Sequence, residues 1–227
     1  MSNTQSLGTG DIFVASGSTF PIFSKPVYLK ILDIDTKKIV PMLEEYDFWT
    51  AGNEYTLSEG LDNTISITKN LYVLDDKRFK FLKDKIMEEF YKFSRGEMKY
   101  PNEFEITTSW FTKTTKNQSC QFHNHNNCMI SGILYLQTNE NSGNIVMQNF
   151  NNKRYDLAVD EQNMYNSSEW GIGPCDGLLM FFPSEVHHKI EKNKTDTIRH
   201  SLSFNLTPTG LIGFESTDSH MTIKVKK

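Results

Sequence analysis

Three histidine-bearing stretches could do chemistry in this chain: His123-Asn124-His125, His187-His188 shortly after Phe182-Pro183-Ser184, and Arg199-His200-Ser201. Residues two apart on a strand face the same way, so His123 and His125 would present two imidazoles to one side. A histidine from a distant strand would then complete one face of a metal's coordination sphere. Five of the six histidines fall between Asn117 and Asn205, and His220 alone lies outside. A lone histidine is more often a polar residue with an ordinary hydrogen bond than a ligand. The downstream stretch tips the balance. Gly177 to Phe182 is a short apolar run suited to a buried strand, Pro183 cannot continue a central ladder, and His187-His188 follows that turn. A metal is expected at this strand end, with His187 and His188 both open as the third ligand.

Five blocks in order carry a family resemblance. They are His123-x-His125; Ser131-Gly132-Ile133-Leu134-Tyr135-Leu136; Ser142-Gly143-Asn144-Ile145; Phe182-Pro183-Ser184 with His188; and Arg199-x-Ser201-x-Ser203-Phe204-Asn205. Together they resemble the 2-oxoglutarate and Fe(II) dependent oxygenases, sharply from about Trp110 to Asn205 and loosely before that. The resemblance implies Fe(II) as metal and 2-oxoglutarate as co-substrate, with hydroxylation of a further substrate and release of succinate and carbon dioxide. It implies His188 as the distal metal ligand and Arg199 as the clamp on the far carboxylate of 2-oxoglutarate. Ser201, on the same strand face as Arg199, would assist it, and Tyr135 matches a tyrosine that donates its hydroxyl to that carboxylate.

The chemistry accounts for such a set. An Fe(II) centre of this kind needs three protein ligands on one face and three positions open to the reactants. A planar guanidinium fork matches a carboxylate in geometry and charge. Eleven residues separate His188 from Arg199, enough to leave one strand and return on its neighbour.

One departure matters. Most of the superfamily carries Asp or Glu two residues after the first histidine, whereas this chain carries His125, and no Asp or Glu occurs from Thr107 to Asn139. The expected ligands are His123, His125 and His188, a neutral set. Two rival readings stay open: an oxygenase that needs no keto-acid, with Arg199 structural, and a non-catalytic binding module that the metal only stabilises.

Composition fits a soluble enzyme, and the resemblance implies a small-molecule or peptidyl substrate. The 227 residues suffice for one domain with a sizeable core, and a net charge of −4 argues against a dedicated nucleic-acid binder. The chain holds no stretch of eighteen apolar residues, and its first residues lack a signal peptide's basic and apolar regions, so a cytoplasmic protein without a membrane anchor is expected. Cys120, Cys128 and Cys175 are odd in number and lack zinc-type pairing; reduced thiols are expected, Cys120 and Cys128 packing beside the histidines.

The positioning elements can be read from periodicity. Met1 to Gly10 is polar, Ile12 to Ala15 and Val27 to Leu32 read as strands, and Thr36 to Tyr46 as a short helix flawed by Pro41. Thr64 to Leu74 alternates like a strand. Phe79, Leu82, Ile86, Phe90 and Phe93 recur at spacings of three and four, predicting an amphipathic helix from Asp76 to about Ser94. From Glu103 to Thr207 the chain reads as strands, with Lys189 to Lys194 a solvated loop. Asn149 to Pro174, which carries Tyr155, Tyr165 and Trp170, is either an ordinary hairpin or a cover over the site. The expected fold is mainly β with α: a double-stranded β-helix, or jelly-roll barrel, with N-terminal helices packed on one sheet. It is expected to form a single domain over 1–227, residues 1–102 supporting a jelly-roll core at 103–207.

Overall fold

A computed structural model of the protein describes residue 19 and residues 23–49, 65–149 and 157–225. The strand expected at Ile12 to Ala15, and Tyr155, lie outside these.

The described strands are β1 (Tyr28–Ile31), β2 (Phe48–Trp49), β3 (Ser66–Thr68), β4 (Glu103–Thr114), β5 (Cys120–His123), β6 (Ile130–Gln137), β7 (Ile145–Gln148), β8 (Glu169–Ile172), β9 (Leu178–Pro183), β10 (His187–Ile190), β11 (Arg199–Ile212) and β12 (Met221–Ile223). Two helices stand out among them, α1 (Thr36–Leu43) and α2 (Lys80–Tyr91). The larger sheet runs β1-β9-β6-β11-β4-β3-β2, with β12 beside β11, and the smaller runs β5-β10-β7-β8. From β4 to β11 the chain passes back and forth between the two, the double-sheet order of a jelly roll. The two sheets remain separate and do not close into one hydrogen-bonded barrel.

The apolar stripe of α2 buries against the outer face of the larger sheet. Leu82, Ile86 and Phe90 join Phe104 of β4, Leu134 of β6, Phe181 of β9 and Phe204 of β11 in one cluster. Phe90 meets Phe104 and Phe181 edge-on at 4.9 and 5.3 Å between ring centres, geometry that aromatic quadrupoles favour. A second cluster lies between the sheets and includes Ile133, Tyr135, Met180, Phe182 and Val186. The large sheet is therefore held from behind while its inner face meets the small one.

Three expectations shift at element ends. The α-helix begins at Lys80 after a 3₁₀ turn at Lys77–Phe79, and past Tyr91 it widens into a π-helical turn, Lys92–Glu97. That wide turn keeps Phe93 buried and stacked on Phe181. The strand expected over Thr64 to Leu74 is only Ser66–Thr68. Asn70 accepts the Tyr72 N–H through its own side chain, a local turn that ends the strand. In the stretch expected to be solvated, Lys189 and Ile190 belong to β10 and Asn193 is fully buried.

Candidate metal and co-substrate site

His123 ends β5, and His188 stands directly opposite it on β10. His125 lies beyond the strand, where the expectation had placed it within one. Its loop is pinned because the His125 N–H donates to the Ser184 carbonyl at 3.0 Å, and the Ser184 N–H donates to Met129. The Phe-Pro-Ser block thus positions the third imidazole. Ser184 and Ser131 share a hydroxyl hydrogen bond of 2.9 Å, Ser131 donates to Asn205, and Asn205 donates to Thr108. Four of the sequence blocks are cross-linked by this one network.

One ring nitrogen from each of His123, His125 and His188 lies within 4.8 Å of the other two. Nδ1 of His123 hydrogen-bonds the Gln121 carbonyl at 2.8 Å, and Nδ1 of His188 that of Val186 at 3.0 Å. A carbonyl can only accept, so both Nδ1 atoms carry the proton and both Nε2 atoms keep a lone pair, as metal-binding histidines require. Burial pushes all three below the ordinary histidine range, His125 to about 4, and holds them neutral near pH 7. Phe182 packs edge-on against His188 at 4.9 Å and Trp110 lies 5.8 Å from His125. His187, opposite Gln148 in the β10–β7 ladder, is not one of the three, and His200 is buried with Nε2 3.9 Å from Glu44.

These histidines line a cavity of about 580 Å³ between the sheets, shared with Tyr135, Arg199 and Ser201. The strands carrying His188 and Arg199 sit in opposite sheets, and so are not the neighbours expected from their spacing. Asn193 makes the crossing. Its amide donates to the Thr114 and Thr197 carbonyls, while its Oδ1 accepts from Thr195. Sequence reading missed this residue, since a buried asparagine in a lysine-rich stretch leaves no periodic signal.

The Arg199 guanidinium is locked from one side. Nη1 donates to the Ser142 and Gly143 carbonyls at 2.7 and 3.0 Å, and Nη2 donates to Thr114 Oγ1 at 3.1 Å. Gly143 is needed there: its φ is +87°, and a methyl group would overlap the Glu191 carbonyl. These bonds use three of the five donor hydrogens of a guanidinium. Nε, buried, has no partner among the described residues. One donor hydrogen is left on Nε and one on Nη2, and a guanidinium with free donors is suited to hold a carboxylate. Tyr135 is also fully buried, its hydroxyl has no partner among the described residues, and burial raises its pKa to about 12, so it is a phenol able to donate. Ser201 lies directly opposite Tyr135 across the β11–β6 ladder.

Unsatisfied buried donors are costly, and an anion bridging Arg199 and Tyr135 would satisfy both. The residues therefore fit a metal with three nitrogen ligands and a dicarboxylate anchored beyond it. Cys120 lies between these parts, its Sγ 3.5 Å from His123 Nδ1, and burial raises its thiol to about 12, which leaves it a neutral packing group. All three cysteines are free. None of the described residues between Asn149 and Pro174 lines the cavity, whereas Ile65, Ile67 and Leu71 do. The wall beyond the histidines is thus built by the β3 segment.

Residues 108–205 match the family model described as "Putative 2OG-Fe(II) oxygenase". No curated protein matches the chain in sequence. Among solved structures it is similar to a prolyl hydroxylase from Trichoplax adhaerens in complex with a hypoxia inducible factor peptide fragment (TM-score 0.58, 13% identity, covering 80% of this chain and 83% of that one). It is also similar to HygX from Streptomyces hygroscopicus with nickel, 2-oxoglutarate and hygromycin B bound (TM-score 0.57, 10% identity, 82% and 84% covered). At these identities the likeness is one of fold. The family match falls on the segment that carries every cavity donor described above, so it is residues 108–205 that are similar to the 2-oxoglutarate and Fe(II) dependent oxygenases.

Proposed function

We propose that this protein is an Fe(II)- and 2-oxoglutarate-dependent dioxygenase that hydroxylates a small-molecule or peptidyl substrate. The observation that carries the reading is the pair of buried donors without a partner among the described residues, Tyr135 hydroxyl and Arg199 Nε, in the same cavity as three converging neutral histidines. His123, His125 and His188 hold the metal. Arg199 binds the distal carboxylate through the donors left on Nε and Nη2, with Tyr135 donating a third hydrogen bond and Ser201 beside it. When bound, the iron couples oxidative decarboxylation of 2-oxoglutarate to hydroxylation, releasing succinate and carbon dioxide. The apolar residues Trp110, Phe122 and Ile190, with the β3 segment, line part of the cavity and limit water there.

In the keto-acid-free alternative Arg199 is structural, and its three bonds to Ser142, Gly143 and Thr114 serve that role. The donors left over on Arg199 and Tyr135 favour the co-substrate. The substrate comes from either class seen in the similar structures, a peptide fragment or hygromycin B. Succinate release from 2-oxoglutarate by the Fe(II)-loaded protein tests the reading; iron binding without 2-oxoglutarate binding would overturn it.

A further inference from the structure

The ligand set has no negative charge, and neither has the space around it. Among the described residues no Asp, Glu or Lys lines the cavity, and its one formal cation is Arg199. The nearby carboxylates are engaged elsewhere: Glu169 pairs with Lys189 at 3.4 Å, Glu185 pairs with Lys25 at 3.6 Å, and Glu191 accepts the Asn144 N–H at 3.2 Å.

A divalent ion held by His123, His125 and His188 would therefore share this cavity with the buried Arg199 and no counter-charge. Like charges on buried groups repel more strongly than in water, and uncompensated buried charge is expensive. The anion able to reach both cations is the co-substrate. Resting on the proposed function, we infer that metal and 2-oxoglutarate load cooperatively here: the keto-acid dianion supplies the charge that a carboxylate ligand would otherwise provide, and His125 is the residue that makes metal retention depend on it. Binding linkage is reciprocal, so 2-oxoglutarate tightens the metal by the same factor as the metal tightens 2-oxoglutarate. Metal occupancy then follows the keto-acid supply.

The test uses the full chain, stripped of metal, with Mn(II) as a redox-inert probe. Its affinity is read by electron paramagnetic resonance of free Mn(II), corrected for the Mn(II)–2-oxoglutarate complex in solution. Saturating 2-oxoglutarate should tighten Mn(II) by about five- to 150-fold, the usual range of binding coupling. His125→Asp places a carboxylate at the ligand position; it should bind Mn(II) more tightly alone and lose most of the coupling. His125→Glu replaces it if circular dichroism shows that His125→Asp does not fold. An unchanged Mn(II) affinity while calorimetry shows 2-oxoglutarate binding would overturn the inference, as would full coupling in the folded acidic variant. Equal tightening by chloride would also overturn it, since anchorage on Arg199 and Tyr135 would then be irrelevant. Failure of 2-oxoglutarate to bind the Mn(II)-loaded wild type at all removes the parent reading and this inference with it.

Discussion

His188 faces His123 across the β10–β5 ladder with ring centres 4.3 Å apart, each ring oriented by an Nδ1 hydrogen bond to a carbonyl two residues earlier in the chain. Two rigid strands thus present two fixed lone pairs, while His125 arrives on a loop held through Ser184. Fe(II) binding under anaerobic conditions should therefore be lost in both His123→Ala and His188→Ala, and weakened in His125→Ala. Metal analysis after dialysis reads this directly; full iron retention in the first two variants would refute the ligand assignment.

Arg199→Lys keeps the charge and discards the planar edge. A lysine ammonium cannot hold the Ser142 and Gly143 carbonyls and also grip a carboxylate with two parallel bonds. Affinity for 2-oxoglutarate should fall about ten- to a hundredfold, the loss of a charge-assisted hydrogen bond or somewhat more, with iron binding retained. Tyr135→Phe should cost less. Titration calorimetry on the metal-loaded variants distinguishes these outcomes from unchanged affinity.

Asn193→Ala should damage both stability and the co-substrate site. The buried Thr114 carbonyl and the part-buried Thr197 carbonyl lose their amide donor, and leaving the first unsatisfied costs about 1–3 kcal/mol. Thr114 also supplies the Oγ1 that Arg199 grips, so 2-oxoglutarate affinity should drop beyond what reduced stability explains. Urea denaturation and calorimetry at a temperature where the variant is folded separate the two effects.

Gly132→Ala should destabilise by about 1–3 kcal/mol, as overpacking does in a filled core. A methyl group at this position would overlap the ring of Phe204, itself fully buried and closed in by Phe181. A denaturation midpoint equal to wild type would show that β6 and β11 can move apart.

Acid should weaken the start of α2. Asp76 accepts the Arg78 backbone N–H, the Arg78 guanidinium and the Tyr46 hydroxyl, and the Arg78 bonds hold its carboxyl well below the ordinary value of 3.8. A carboxylate depressed in the folded state stabilises above its unfolded pKa, and the contribution is lost as pH falls through the folded value. The stability gap between wild type and Asp76→Asn should be full at pH 7 and shrink below about pH 4. A gap that widens on acidification would reverse the sign.

Much of the helical support was legible because it is local. Phe79, Leu82, Ile86, Phe90 and Phe93 mark one face of a helix whatever that face meets, and all five are buried. Likewise the run of strands was expected to open at Glu103, and β4 begins there. The histidines could be named as candidate ligands from their types, since imidazole chemistry does not depend on the fold, whereas the choice of His188 and Arg199 came from the family resemblance of the blocks. What the sequence could not decide is long-range. Whether β10 and β11 share a sheet depends on pairing partners far away in the chain, and they proved to lie in opposite sheets, with His188 and Arg199 both lining the cavity between them. His125 shares the site because Ser184, fifty-nine positions later, accepts its backbone N–H, and not because of strand alternation. The buried Asn193 and the cavity wall at Ile65, Ile67 and Leu71 belong to the same class. Local periodicity records which face of an element avoids water; only tertiary packing determines which faces meet and which buried donors are left to bind a ligand.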